Sequence, residues 1–124
     1  MRFIIVFSLL IGLFASNSIS AQVKPITNTV VKIPQALCIN CKNRLEYQLK
    51  RLDGVAEFLV YYQRGEAKVR FITDRTDIEQ IKTAISNCGY DADDVLANPD
   101  AYNRLPISCK KKADGGAKKN VQVN

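Results

Sequence analysis

The chain has 124 residues, enough for one domain of ordinary size. With 47% hydrophobic residues, 6 Gly and 4 Pro, it is too apolar for a disordered tail and too irregular for a fibre. The formal net charge is +6 and there is no His and no Trp, so Ser-His-Asp and Cys-His nucleophile systems and His-ligated metal sites are excluded.

Residues 1–21 read as a secretory signal peptide. Arg2 supplies a short positive start, residues 3–14 form an apolar run, and small and polar residues lead to Ala21, after which cleavage is expected. As a helix that run would span about 18 Å against a bilayer core of roughly 30 Å, so no permanent membrane span is expected after cleavage. No Cys lies near the cleavage point to carry a lipid anchor. The expected location is periplasmic or secreted.

The charge is unevenly spread. Residues 110–124 hold five Lys and Asp114, a net +4, whereas residues 22–109 hold 12 basic and 11 acidic residues, a net +1. The positive excess therefore sits in a Lys-rich tail, expected to be disordered, and an exported near-neutral body argues against a nucleic-acid partner.

Residues 22–28 are a polar leader, and the β-branched run 29–33 predicts a first strand closed by Pro34. From Cys41 the period turns helical, with Cys41, Leu45, Leu49 and Leu52 on one face and Glu46 and Lys50 paired outside it. Residues 55–62 are strand-like, Gln63, Arg64 and Gly65 supply a hairpin turn, and residues 66–72 alternate with Ala67, Val69 and Phe71 inward. Thr76 and Glu79 frame a capping box that opens a second helix bearing Ile78, Ile81, Ile85 and Cys88, with Gly89 ending it. Residues 90–96 can form a fourth strand, and Asn98-Pro99 starts a short helix that runs to about Leu105. The order βαββαβ predicts an α+β, ferredoxin-like sandwich over residues 29–96, with a short helical extension over 97–109.

Cys38 and Cys41 form a Cys-x-x-Cys loop between the first strand and the first helix. A helix N-terminus beside such a pair favours thiolate, the form that binds Cu(I), Zn(II) or Hg(II). Spacing and an oxidising compartment leave metal site and disulfide equally open. Cys88 is on the apolar face of the second helix, as a core residue or as a thiol within reach of the loop. Cys109 follows Pro106, where the chain can fold back, and is open to roles as a further ligand, a bridge to Cys88 or a free thiol. Asp91, Asp93 and Asp94 make an acidic cluster without the glycine-containing loop of a calcium site.

The stretch 29–96 resembles a heavy-metal-associated domain, the module of copper chaperones, P-type metal ATPase N-termini and mercuric-ion-binding proteins. The matching features are the strand running into Cys38 and Cys41, Leu-Asp-Gly-Val at 52–55, the strands around Gly65, and Gly-Tyr-Asp-Ala at 89–92. The resemblance implies a domain, not an enzyme, in which Cys38 and Cys41 bind a soft metal ion, Cu(I) first, and exchange it with a donor or acceptor protein. It also implies that Tyr90 is an aromatic close to the metal loop. The family's Gly-Met-Thr before the first Cys is replaced here by Gln35, Ala36 and Leu37. Participation of Cys88 or Cys109 would favour Zn(II) or Hg(II) over Cu(I). The competing readings of the same cysteines are a thiol–disulfide oxidoreductase and a disulfide-stabilised interaction domain.

Overall fold

A computed structural model describes residues 23–116. The expected signal peptide, and the tail beyond residue 116, lie outside these residues. Three strands, β1 (Ile26–Lys32), β2 (Val55–Tyr61) and β3 (Glu66–Ile72), form an antiparallel sheet in the order β1-β3-β2. Helices α1 (Ile39–Leu49) and α2 (Ile78–Asn87) pack over it, and a short α3 (Pro99–Asn103) follows, with 3-10 turns at Ile107–Cys109 and Lys112–Asp114. Among the described residues no helix is long and apolar enough to cross a membrane.

The period-2 pattern of β3 dictates how the sheet is covered. Ala67, Val69 and Phe71 are buried while Lys68 and Arg70 are exposed. In register with β3, Val31 lies opposite Ala67, and Phe58 lies opposite Val69. Ala56 is an extra residue between the pairs Val55–Phe71 and Glu57–Arg70, a bulge that leaves the rest of β2 in step. On α1 the buried stripe is Cys41, Leu45 and Leu49; on α2 Ile81 and Ile85 are buried, with Ile78 and Cys88 half-buried. These side chains make one core with the sheet, which is the ferredoxin-like arrangement.

Two local expectations are corrected. The cap of α2 is Asp77 rather than Thr76: the Asp77 carboxylate accepts from the Gln80 N–H at 2.9 Å and from Gln80 Nε2 at 3.0 Å. Thr76 is instead buried, its hydroxyl unpartnered among the described residues. The fourth strand is replaced by a tight turn in which Ala92 and Val95 bond each other at 2.8 and 2.9 Å. Asp93, at φ 50°, then docks that turn on the outer edge of β1, its N–H donating to Lys32 O at 2.9 Å and its carboxylate accepting from Lys32 N at 2.8 Å. A turn bonded to itself has no groups left to extend a ladder, so only this contact marks the fourth-strand position.

The C-terminal extension lies against the end of α2. Asn98 caps α3 by accepting from Ala101 N at 3.1 Å, and Asn98 N donates to Ser86 O at 3.0 Å. Ser86 Oγ donates to Leu96 O at 2.6 Å, and Asp91 accepts from Ala97 N at 2.8 Å. Gly89, at φ +95°, makes this closeness possible, since a Cβ there would meet Ala101 backbone atoms at 2.9 Å. Residues 110–116, expected within the tail, are structured. Lys111 pairs with Asp91 at 2.9 Å, its N–H donates to the Tyr102 hydroxyl at 2.9 Å, and that hydroxyl bonds Asp114. Ordered structure thus continues into residues 110–116.

Helix α1 is tied to β2 through Glu46, whose carboxylate accepts from Val60 N at 3.0 Å and pairs with Lys42 at 2.9 Å and Lys50 at 3.5 Å. Burial alone would raise its pKa, but the Val60 N–H and the two lysines outweigh it and hold the carboxyl below its ordinary value of 4.5. A lowered folded-state pKa adds stability above that ordinary value and loses it as the pH falls through the folded value. Denaturation midpoints measured against pH should show the wild type losing its advantage over Glu46→Gln below about pH 4.5; a constant difference down to acid pH would contradict this. Gly89→Ala combines backbone strain with the Ala101 clash. Urea titration should show a loss of about 1–3 kcal/mol, and a neutral result would mean that α3 does not pack as described.

Candidate metal centre

The loop between β1 and α1 is fixed from the hairpin side. Ile33 N donates to Gly65 O at 2.7 Å, and Ala36 N donates back to Ile33 O at 3.0 Å. At the loop positions that depart from the family pattern, Ala36 is in the core and Gln35 is buried with both amide atoms unpartnered among the described residues. The core contact under the loop is therefore made by a methyl group rather than a long thioether.

Cys38 is the N-cap of α1. Its backbone is extended and its sulfur accepts from Cys41 N at 3.3 Å, so the sulfur sits where a capping oxygen usually does. Cys41 occupies the first turn of the helix, at the end of its buried stripe. The two sulfurs are joined as a disulfide, with the Cα atoms 5.2 Å apart. Unpaired helix N–H groups and the positive end of the helix dipole face this corner, which favours sulfur carrying negative charge once the pair is reduced.

The extension brings a third sulfur to the same place. Cys109, in the turn after Pro106, lies with its sulfur 2.7 Å from that of Cys41 and 3.8 Å from that of Cys38. The three sulfur atoms all lie within 4.8 Å of one another. Cys41, Cys109 and Tyr90 are fully buried, and Cys38 is half-buried. The polar neighbours of Tyr90 are the Cys109 sulfur and Arg44. Burial first, and then Cys109, push its phenol far above the ordinary range, with Arg44 opposing, so it is a proton donor at all physiological pH. Its hydroxyl has no hydrogen-bond partner among the described residues.

Cys88 is not in this group. It ends α2 beside a cleft of about 730 Å³ shared with Arg44, Tyr47, Leu52 and Arg104. Burial pushes its thiol pKa up, with Arg44 opposing. Cys88 and Cys109 are both free thiols, so the anticipated bridge between them is not made. The acidic residues are likewise occupied separately: Asp91 holds Ala97 and Lys111, Asp93 holds Lys32, and Asp94 pairs with Lys82 at 2.9 Å. Sequence reasoning gave no sign of two neighbours of this corner, Arg44 beside Tyr90 and the buried Gln35. Arg44 stays exposed and reads as an ordinary surface cation, and Gln35 reads as an ordinary loop amide, until the fold places them.

Comparison with known proteins identifies the family of the domain. The profile of the heavy-metal-associated domain matches residues 30–91. The copper chaperone CopZ of Staphylococcus haemolyticus is 33% identical over 64 residues, 52% of this chain and 94% of the chaperone. The mercuric transport protein periplasmic component of Shewanella putrefaciens is 30% identical over 81 residues, 65% of this chain and 88% of that protein. In fold, the oxidised form of MerP from Ralstonia metallidurans CH34 superposes with a TM-score of 0.53 at 19% identity, covering 55% of this chain and 94% of MerP. The profile ends before Cys109, and the two cysteines it spans in the loop are Cys38 and Cys41. With its Cys-x-x-Cys loop at the head of the first helix of a ferredoxin-like sandwich, the chain belongs to the heavy-metal-associated domain family.

Proposed function

We propose that this chain binds a soft metal ion through Cys38 and Cys41, Cu(I) first, and serves its transport, chaperoning or sequestration rather than catalysis. The observation that carries the reading is the position of both sulfurs at the N-terminus of α1, with a backbone N–H already donated to Cys38. The donor set supports it, since the only groups of metal-binding type gathered here among the described residues are thiols. Thiolate is the soft donor that selects Cu(I), Hg(II) and Zn(II) over Mg(II) or Ca(II).

Reduction of the Cys38–Cys41 disulfide takes two electrons and two protons from an external reductant. Metal uptake then releases the thiol protons. Half-buried Cys38 is the sulfur from which an incoming donor or acceptor protein would begin ligand exchange. Residues 29–96 form the metal-binding domain in this reading, and 97–116 its extension. The composition of residues 1–21 and the periplasmic mercuric transport relative support action in the periplasm or outside the cell.

Thiol–disulfide exchange is a second reading, favoured by the closed Cys38–Cys41 pair. Against it, no Trp precedes Cys38 and the order of strands and helices is not the thioredoxin layout. Native mass spectrometry of phosphine-reduced protein should show uptake of one Cu(I) per chain, abolished in Cys38→Ser/Cys41→Ser. Undiminished binding by that variant, or none by the wild type, would sink the proposal. Fast turnover of a disulfide substrate by the wild type would favour the second reading.

A further inference from the structure

We infer that Cys109, outside the matched domain, is the third thiolate of the centre, so that the extension converts a two-sulfur loop into an enclosed three-sulfur site. This deepens the function proposed above and rests on it.

The first support is the shape of the sulfur cluster. A thiol poised to attack Cys41 and release Cys38 stands in line with the bond, on the far side of Cys41 from Cys38. The Cys38–Cys109 separation is 3.8 Å. The three sulfurs therefore form a triangle about a common centre, which suits shared coordination better than exchange.

The second support is Tyr90. Its hydroxyl is fully buried, has no partner among the described residues, and lies beside the Cys109 sulfur. A buried donor without an acceptor carries a desolvation cost, which a thiolate at Cys109 would relieve by accepting its hydrogen bond.

The third support is the care with which the extension is anchored. Asn98 on Ser86, Asp91 on Ala97 and Lys111, and Gly89 under Ala101 all hold it to the domain on the way to Cys109. Leu105 is buried just before Pro106 turns the chain toward the loop.

Charge then bears on the choice of ion. Three thiolates around Cu(I) leave two net negative charges in a buried site, whereas a divalent soft ion leaves one. Uncompensated buried charge is costly, so the third sulfur moves preference from Cu(I) toward divalent thiophilic ions such as Hg(II). All three thiol protons leave to solvent as the ion enters.

The test is X-ray absorption at the mercury edge on the monomeric one-to-one Hg(II) complex of the reduced full chain. Three sulfur neighbours are expected in the wild type and two in Cys109→Ser. Competition with a small thiol should show the variant's Hg(II) affinity reduced at least roughly tenfold, the smaller loss known when only a hydrogen-bond partner of a ligand is removed. Two sulfurs in the wild-type complex would overturn the inference while leaving the Cys38–Cys41 site standing. Failure of the wild type to take up either Hg(II) or Cu(I) would overturn both. The wild-type coordination number decides the matter even if the variant folds poorly.

Discussion

Cys41 belongs to two structures at once, and the rest of the molecule depends on that sharing. Its side chain begins the buried stripe Cys41–Leu45–Leu49 that fastens α1 to the sheet, and its sulfur is the middle of the thiol cluster. Few polar side chains could do both. A thiol is small, weakly hydrated and at ease in an apolar core, yet it becomes a strong ligand when deprotonated. The thiol cluster is therefore built into the end of the core rather than placed on its surface, and the helix that packs the domain also carries one of its sulfurs.

What was legible in the sequence was local. The alternation of Ala67, Val69 and Phe71 and the 3.6-residue spacing of Leu45 and Leu49 each state their own burial, and the Cys-x-x-Cys loop sits at the strand-to-helix junction that its neighbours predict. Asn98-Pro99 also announces its helix correctly. Errors arose where two short-range signals competed. Thr76 and Asp77 are adjacent cap formers, and the one with the carboxylate took the cap while the other went inside. Residues 90–96 have strand-like composition, but Asp93 tolerates a left-handed backbone and turned the segment on itself.

The choice between Cys88 and Cys109 was not legible, for a different reason. Cys88 has a clear periodic address on α2, and topology placed it near the correct end of the sheet. Its side chain nevertheless opens on the cleft beside Arg44. Cys109 has no periodic address; it reaches the loop because a series of contacts spaced along residues 86–111 folds the chain back. Each contact is an ordinary hydrogen bond or ion pair of about 0.5–1.5 kcal/mol, and none leaves a pattern in a single sequence. The third sulfur was visible as an unassigned thiol, and only tertiary structure could assign it.

The bare α-carbon of Gly89 has a reach well beyond its own turn. The missing methyl group lets Ala101 settle against the end of α2, and from there the extension sets one sulfur over the loop. A family-length piece cut after residue 91 would keep the sheet and both long helices but lose that extension, leaving Tyr90 without the Cys109 sulfur beside it. Such a fragment would keep Cys38, Cys41 and Cys88 but lose the Cys109 sulfur that lies beside the loop pair, and its chemistry would misrepresent the parent. In this chain the module and its appendage are a single mechanical unit.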